Sequence, residues 1–261
     1  MRSWILAAIM GLSGAFTAGR TSRGEYDSGA EIVRAMHDRY ARSWFHTLTF
    51  QQATTKWDSA GHESHATWYE SAKLPGQLRI DIGQPKEGNG VLFTADSTFV
   101  VQKGAVIRRL PGGNELLAML FDVYVLPTEQ TLSGLRRAGY DLSKMHREMW
   151  QGQPTYVIGA DSGDFTSTQV WVDSSRLVAV RQMSPVRSGD PRLLDSRFSS
   201  YQRAGGGWVA VDCEFYLNGK LIQREQYSNV RANAPLSPAL FDAAAWTTAP
   251  HWVRSEGTTS P

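Results

Sequence analysis

The feature that most constrains the fold of this chain is the alternation of apolar and polar side chains between Trp68 and Ile82. The even-numbered positions are apolar apart from Glu70 and a turn glycine, whereas the odd-numbered strand positions are polar or amphipathic. A period of two is typical of a β-strand with one buried face, and Pro75-Gly76 interrupts the pattern as a turn does. The stretch therefore predicts two antiparallel strands of a curved sheet, an architecture that can wrap around a hydrophobic guest.

Ahead of this hairpin the sequence predicts an amphipathic helix. Ser28 followed by Glu31 is a capping-box pattern, which favours a helix start at this point. Apolar residues then recur at every fourth position, and the charged residues lie off this stripe. The recurring residues are Ile32, Met36, Tyr40 and Trp44. Such a helix needs a partner surface for its apolar face.

A second helix is predicted in the middle of the chain, from Glu115 to Leu126, with Asn114 as its N-cap. It is apolar on nearly every side, so both sides must be covered. Pro127 ends it, and a third, shorter helix runs from Thr128 to Gly139. The second helix is either a lid whose inner face contacts a ligand or a core helix packed permanently on the sheet, and the sequence leaves both interpretations open.

The other periodic segments are strands. One runs from Phe45 to Lys56, and shorter ones follow at hairpin spacing before and after the two helices. Asn218-Gly219 is a strong type I′ turn signal, and Gly205-Gly206-Gly207 is predicted to be a flexible hairpin tip. We therefore predict an α+β fold that is mainly antiparallel β. It is an open, incomplete barrel of about eleven strands whose concave face is covered by helices.

The first residues are typical of an export signal. Arg2 precedes a short apolar run from Trp4 to Leu12, so residues 1–19 are predicted to be a signal peptide and residues 20–261 a single domain. The alternative is a retained N-terminal anchor, although a membrane span needs roughly 20 apolar residues. We expect a periplasmic monomer. Its formal net charge of +2 is too small to indicate nucleic acid as a partner.

No residue cluster in the sequence indicates a catalyst. A nucleophile elbow, an H-E-x-x-H zinc motif and a glycine-rich phosphate loop are all missing from the sequence. His62 and His65 are three residues apart in a strand, so they point to opposite faces and cannot share a metal. Asp161, Asp164 and Asp173 lie near turns, where short carboxylates cap their own backbone. We therefore expect no catalytic residue, no metal and no cofactor, and predict that the protein is not an enzyme.

The single cysteine, Cys213, excludes an intramolecular disulfide. It has the same parity as Val209, Val211, Phe215 and Leu217 in a predicted strand. We expect a buried, unreactive thiol, because a nucleophilic cysteine needs a polar and partly exposed setting.

Several features that occur together in this chain point to one known family. They are the amphipathic first helix, the strand from Phe45 to Lys56, the hairpin with its proline turn, the strand pair within Val91 to Val101 and the late Leu240-Phe241-Asp242 segment. In this combination the chain resembles the bacterial outer-membrane lipoprotein carrier superfamily, the LolA/LolB/LppX-like proteins. The resemblance implies an unclosed antiparallel barrel with a hydrophobic cavity that accepts acyl chains. In the carriers an arginine directly before the hairpin proline helps to hold a lid shut, and Leu74 stands in that position here.

The resemblance also directs attention to the apolar residues of the hairpin, the following strands and the second helix. The residues expected to line a hydrophobic cavity, or alternatively to fill a core, are Trp68, Leu78, Ile80, Phe99, Leu117, Leu120, Phe121 and Tyr124. The implied function is a periplasmic carrier or chaperone that binds the acyl chains of lipoproteins or other lipids, with envelope transport proteins as partners. The alternative is a ligand-free envelope interaction or sensor module on the same fold. A hydrolase ranks last because no nucleophile–base pair is evident.

Overall fold

The computed structural model describes residues 26–186 and 190–253, so the predicted signal peptide lies outside the described residues. The described residues form one antiparallel sheet. Its thirteen strands are β1 Thr47–Trp57, β2 Glu63–Lys73, β3 Gln77–Ile82, β4 Gly90–Phe93, β5 Ser97–Gln102, β6 Ala105–Pro111, β7 Met145–Trp150, β8 Gln153–Ile158, β9 Gln169–Asp173, β10 Ala179–Pro185, β11 Leu193–Ala204, β12 Gly207–Leu217 and β13 Lys220–Ala232. They lie in the order β6-β5-β4-β3-β2-β1-β13-β12-β11-β10-β9-β8-β7.

The sheet stays open, because β6 and β7 each pair on one side only. The α-helices of the described ranges are α1 Gly29–Tyr40, α2 Glu115–Leu120 and α3 Thr128–Arg137. The predicted fold class, an open and mainly antiparallel α+β fold, is confirmed. The sheet has thirteen strands where about eleven were expected. β4 forms where the strand pair within Val91 to Val101 was predicted.

The hairpin of β2 and β3 forms as the alternation predicts. Pro75 and Gly76 make the turn, and Glu70 pairs with Ile80 across the two strands. Phe50 of β1 pairs with Glu70 on the other side. Since cross-strand partners point to the same face, these side chains share the concave face, and their neighbours in sequence share the convex face.

α1 begins at the predicted capping box, where Ser28 Oγ accepts a hydrogen bond from the backbone N–H of Glu31 at 3.3 Å. Its apolar stripe is buried in the main core, as Ile32, Met36 and Tyr40 show. The helix ends at Tyr40, so Trp44 lies beyond it but joins the same core. Within the described ranges no helix has the length and apolar character needed to cross a membrane.

The second predicted helix is shorter than expected. α2 stops at Leu120, and a 3-10 turn, Asp122–Tyr124, replaces its second half. The break falls at Phe121, whose φ of −137° and ψ of −50° are not helical. After the break the Asp122 carboxylate reaches the hairpin turn, where it accepts a hydrogen bond from the N–H of Gly76 at 3.1 Å. The helix is interrupted where this tertiary contact forms.

Two of the predicted turns follow their sequence signals. Asn218 and Gly219 have φ values of 49° and 78°, and two positive φ angles are what a type I′ turn requires. The glycine run before β12 forms the predicted hairpin tip, and it is also closely packed. A Cβ atom at Gly207 would lie 2.6 Å from the ring of Trp44.

A C-terminal segment covers part of the convex face. Leu240, Phe241 and Trp246 are buried there in a cluster with Leu92 of β4 and Val101 of β5. The sheet is therefore covered on both faces, by helices on the concave side and by this segment on the other.

Gly90→Ala is expected to destabilise the protein by about 1–3 kcal/mol, the usual cost of overpacking a core. A Cβ atom at Gly90 would overlap the carbonyl oxygen of Ile80 and lie 2.8 Å from the Trp246 ring. Urea unfolding measures the free energy of unfolding. Gly134→Ala in α3 is the matched control, because its Cβ would have 3.9 Å to the nearest atom and alanine favours the helix by about 1 kcal/mol. Equal losses in the two variants would contradict close packing at Gly90.

Candidate functional site

An aromatic cluster fills the space between α1 and the sheet. Trp44 stacks on Tyr124 with ring centroids 3.7 Å apart, and on Phe45 at 5.0 Å. Tyr40 meets Tyr124 edge to face, and the Tyr124 hydroxyl donates to the carbonyl oxygen of Leu177 at 3.0 Å. Such aromatic pairs contribute about 0.5–1.5 kcal/mol beyond their burial. This part of the interior is therefore a packed core.

α2 carries apolar side chains that are only half-buried. Leu116 and Leu120 pack on a small cluster that contains Phe198 of β11 and Cys213 of β12. Leu120 also contacts the main core, as does Phe121. α2 therefore lies across the concave face and joins the two clusters.

A cavity of about 330 Å³ lies between the helices and the strands and turns around them. α2 contributes Leu117 and Ala118 to its wall, α3 contributes Gly134 and Leu135, and the hairpin turn contributes Pro75. More of the exposed wall is apolar than polar. The volume falls at the lower end of the range for small-molecule sites, about 300–1,000 Å³.

Asp122 is an acidic group in the wall of this cavity. Burial raises its pKa from the ordinary 3.8 to about 6, and the hydrogen bond from Gly76 opposes the rise. Leu74, directly before the hairpin proline, is buried in the main core. The polar contact between the hairpin turn and the helical segment is therefore made by Asp122.

The structure separates the residues that were expected to line a cavity. In the main core lie Leu78, Leu117 and Tyr124, and half-buried against it lie Ile80, Leu120 and Phe121. Trp68 is buried on the concave face, with the ammonium of Lys56 4.6 Å from its ring centroid. Among these residues, Leu117 is in the wall of the 330 Å³ cavity.

Phe99 is on the other face of the sheet. It pairs with Leu92, and Leu92 pairs with Arg79, so the three side chains share the convex face. Phe99 packs there against the cluster that contains Trp246. The register between hairpins, which the sequence does not encode locally, places Phe99 away from the other predicted lining residues.

A pair of buried carboxyl groups on the concave face was not predicted from the sequence. Glu70 of β2 and Glu225 of β13 are 5% and 7% exposed. Glu225 accepts hydrogen bonds from the Tyr227 hydroxyl at 2.7 Å and from Gln223 at 2.5 Å. Glu70 has no hydrogen-bond partner within the described part of the chain. A signal for Glu70 was present, because it is the polar exception in the alternating stretch.

Burial governs the protonation of this pair. Loss of water raises the pKa of Glu70 well above its ordinary value, and the nearby Glu225 raises it further. Burial also raises the pKa of Glu225, while hydrogen bonds from Tyr227 and Gln223 counteract the shift. The pair therefore holds protons at a higher pH than exposed glutamates do.

The cysteine and the two histidines considered in the sequence are described next. Burial raises the pKa of the Cys213 thiol well above its ordinary value, which disfavours the reactive thiolate. His62 Nδ1 lies 3.0 Å from Asp58, and His65 Nδ1 lies 3.1 Å from Thr55. Across residues 26–186 and 190–253, no three His, Cys, Asp or Glu side chains come together as a metal site.

Comparison with solved structures identifies the architecture. A domain from Vibrio parahaemolyticus described as outer membrane lipoprotein-sorting aligns over 84% of this chain and 98% of its own, at a TM-score of 0.56 and 16% identity. A LolA superfamily protein from Nitrosomonas europaea aligns over 80% and 96%, at a TM-score of 0.52 and 14% identity.

The fold is LolA-like. A DUF1329 family protein from Desulfovibrio piger shares it, with a TM-score of 0.57 and 16% identity over 84% of this chain and 97% of that one. No protein-family model matches the sequence, and no curated protein matches it. The LolA-like fold is therefore recognised through the arrangement of sheet and helices.

Glu70→Gln is expected to raise the melting temperature at pH 7 by more than about 2 °C, with little change at pH 4. The folded-state pKa of Glu70 is raised, so stability is highest below its unfolded pKa of about 4.3 and falls as the pH rises toward the folded value. Glutamine does not ionise, so the variant does not lose stability in this way as the pH rises. The substitution also breaks no hydrogen bond to a described residue. Thermal unfolding between pH 4 and pH 8 measures the effect.

Glu63→Gln is the matched control for this variant, because Glu63 is exposed on the same strand. It should leave the melting temperature within about 1 °C of the parent protein. A parallel shift of both variants at every pH would contradict a buried, protonated Glu70.

Proposed function

We propose that this protein is a periplasmic carrier or chaperone that binds the acyl chains of lipoproteins or other lipids between its helices and its sheet. The observation that carries the proposal is the cavity of about 330 Å³ with its mostly apolar wall. It lies in a LolA-like fold, and one structural neighbour is described as a lipoprotein-sorting domain. The proposed role is non-catalytic.

Leu117 and Ala118 of α2 supply apolar surface for an acyl chain, together with Leu135 of α3. Burial of each methylene contributes about 0.8 kcal/mol, and the free energy needed to move α2 off the sheet offsets part of this gain. α2 has only six residues and is followed by the break at Phe121. A short helix of this kind gains little stability by itself, so its position depends on packing, which a ligand can replace.

The Asp122–Gly76 contact ties this segment to the hairpin. It is one hydrogen bond of 3.1 Å to a carboxyl group whose pKa is about 6. Protonation of Asp122 weakens the acceptor, because an ionised carboxylate accepts a stronger hydrogen bond. The segment that covers the cavity is therefore attached by a contact that can be released.

The protein is also proposed to be exported and to work with transport proteins of the envelope. The pattern of residues 1–19 supports a signal peptide, and residues 20–261 are proposed to act as one monomeric domain. Delivery of a lipid-modified cargo requires transport proteins of the envelope, which would take the acyl chain from the cavity.

A ligand-free interaction module is the second candidate function, and the edge strand β6 favours it. All residues of β6 are exposed, and Val106, Ile107 and Leu110 are 44%, 59% and 43% exposed. An edge strand with apolar side chains can pair with a strand of another protein.

Gly134→Trp is expected to weaken binding of a fluorescent fatty acid at least about tenfold, because the indole would occupy the cavity. Gly134 lines the cavity, and a side chain added there meets its first atom at 3.9 Å. Fluorescence titration measures the affinity, and native mass spectrometry of gently purified protein identifies lipid that co-purifies.

Two variants control for this test. Gly134→Ala leaves most of the cavity free and should bind like the parent protein, and Arg136→Trp adds an indole at an exposed position of α3. A parent protein without bound lipid and without fatty-acid uptake would reject the carrier function and favour the interaction module.

A further inference from the structure

A groove lies on the convex face of the sheet, separate from the cavity on the helix-covered face. This convex groove has a volume of about 1160 Å³ and more polar than apolar wall. Its base is formed by residues of β1, β2, β3 and β13, and its side walls are formed by 84–86 and 246–253. Gln51 pairs with Tyr69, and Tyr69 pairs with Asp81. These side chains therefore lie on the face opposite Glu70.

A buried arginine forms the floor of the groove. Arg79 is 1% exposed, and its Nε and Nη2 each donate to Asp81 at 2.8 Å. Nη2 also donates to the carbonyl oxygen of Trp246 at 3.0 Å, and the ring of Trp246 stacks 3.9 Å from the guanidinium carbon. Nη1 lies on the side of the guanidinium away from Asp81 and has no partner among the described residues.

An unpartnered buried donor has an energetic cost. A charged N–H group that is buried without an acceptor loses its hydration and gains nothing in return. Arg79 belongs to the wall of the groove, and its Nη1 is itself closed off from solvent. Arginine binds phosphate and carboxylate oxygens particularly well because its N–H groups are planar and fixed.

Two further cations line the groove. Lys86 and Arg231 are exposed, and neither forms an ion pair with a described residue. The charge of Arg79 is balanced by Asp81, so Lys86 and Arg231 leave the groove with an excess of positive charge. This excess favours an anionic ligand.

The groove also offers aromatic and amide groups. Tyr69 and Trp252 are half-buried there with ring centroids 6.1 Å apart. Gln51, Gln84 and Asn229 present planar amides, and Asn229, with φ of 54°, lies where the pairing of β1 with β13 shifts at a bulge. Bulges often redirect a side chain toward a binding site.

We propose that the convex groove binds an anionic saccharide, that is, linked sugar rings that carry carboxylate or phosphate groups. The C–H faces of sugar rings pack on aromatic side chains, and the amides donate to and accept from the hydroxyl groups. Lys86 and Arg231 bind the acidic groups. A hydrocarbon chain would leave these polar groups without partners, so the groove differs in ligand class from the helix-covered cavity.

Isothermal titration calorimetry on the full chain tests the proposal with three probes. Hyaluronan hexasaccharide carries carboxylates on sugar rings, maltohexaose is a neutral saccharide of equal length, and inorganic phosphate is an anion without sugar. The hexasaccharide should bind at least about tenfold more tightly than either of the others. Phosphatidylcholine vesicles with and without a sialylated glycolipid show whether a lipid-linked saccharide is also accepted.

Variants locate the binding site. Arg231→Ala and Lys86→Ala should each weaken hexasaccharide binding about tenfold, the effect of losing one charge-assisted hydrogen bond. Arg108→Ala removes an exposed positive charge from β6, outside the groove, and should leave the affinity unchanged. Tyr69→Phe should bind like the parent protein, and Tyr69→Ala should bind more weakly because the aromatic face is lost.

Three results would overturn the proposal. They are no saturable binding of the hexasaccharide at millimolar concentration, equal affinity for maltohexaose, and equal loss in Arg108→Ala and Arg231→Ala. A fourth result, phosphate binding as tight as hexasaccharide binding, would overturn it as well, because the groove would then recognise an anion without sugar. None of these results would bear on the acyl-chain cavity, which the fatty-acid titration tests separately.

Discussion

The antiparallel register of β1, β2 and β3 assigns every side chain in the centre of the sheet to one of two faces. Glu70 points to the concave side because it pairs with Phe50 and Ile80. Arg79, one residue before Ile80, points to the convex side. A shift of one residue would exchange the two faces, exposing the core and burying the charges. Both the helix-covered cavity and the convex groove depend on this register.

Each face is covered in a different way. On the concave side Tyr124, in the 3-10 turn after α2, packs edge to face on Tyr40 of α1 and stacks on Trp44. On the convex side Arg79 holds the C-terminal segment through the carbonyl oxygen and the ring of Trp246. The first contact is aromatic stacking, and the second combines a hydrogen bond with a cation–π contact.

The concave side also contains groups that do not favour stability. Glu70 and Asp122 are buried carboxyls with raised pKa values, and neither has a cationic side chain as a hydrogen-bond partner in the described residues. Buried ionisable groups of this kind are concentrated at functional sites, because a stable core has no need of them. Asp122 lies in the wall of the cavity. The contact between the hairpin turn and the helical segment is therefore made by a buried carboxyl group.

The sequence by itself determined the elements whose signals are local. The alternation from Trp68 to Ile82 specifies two strands and their faces, Ser28 caps α1, and Asn218-Gly219 makes a type I′ turn, because each depends on neighbouring residues. Contacts between distant segments were decided only by the tertiary structure. The pairing order places Phe99 on the convex face, Gly76 binds Asp122 where α2 breaks, and β13 brings Glu225 to Glu70. These outcomes depend on which strands become neighbours, and that choice is made by the packing of the whole sheet.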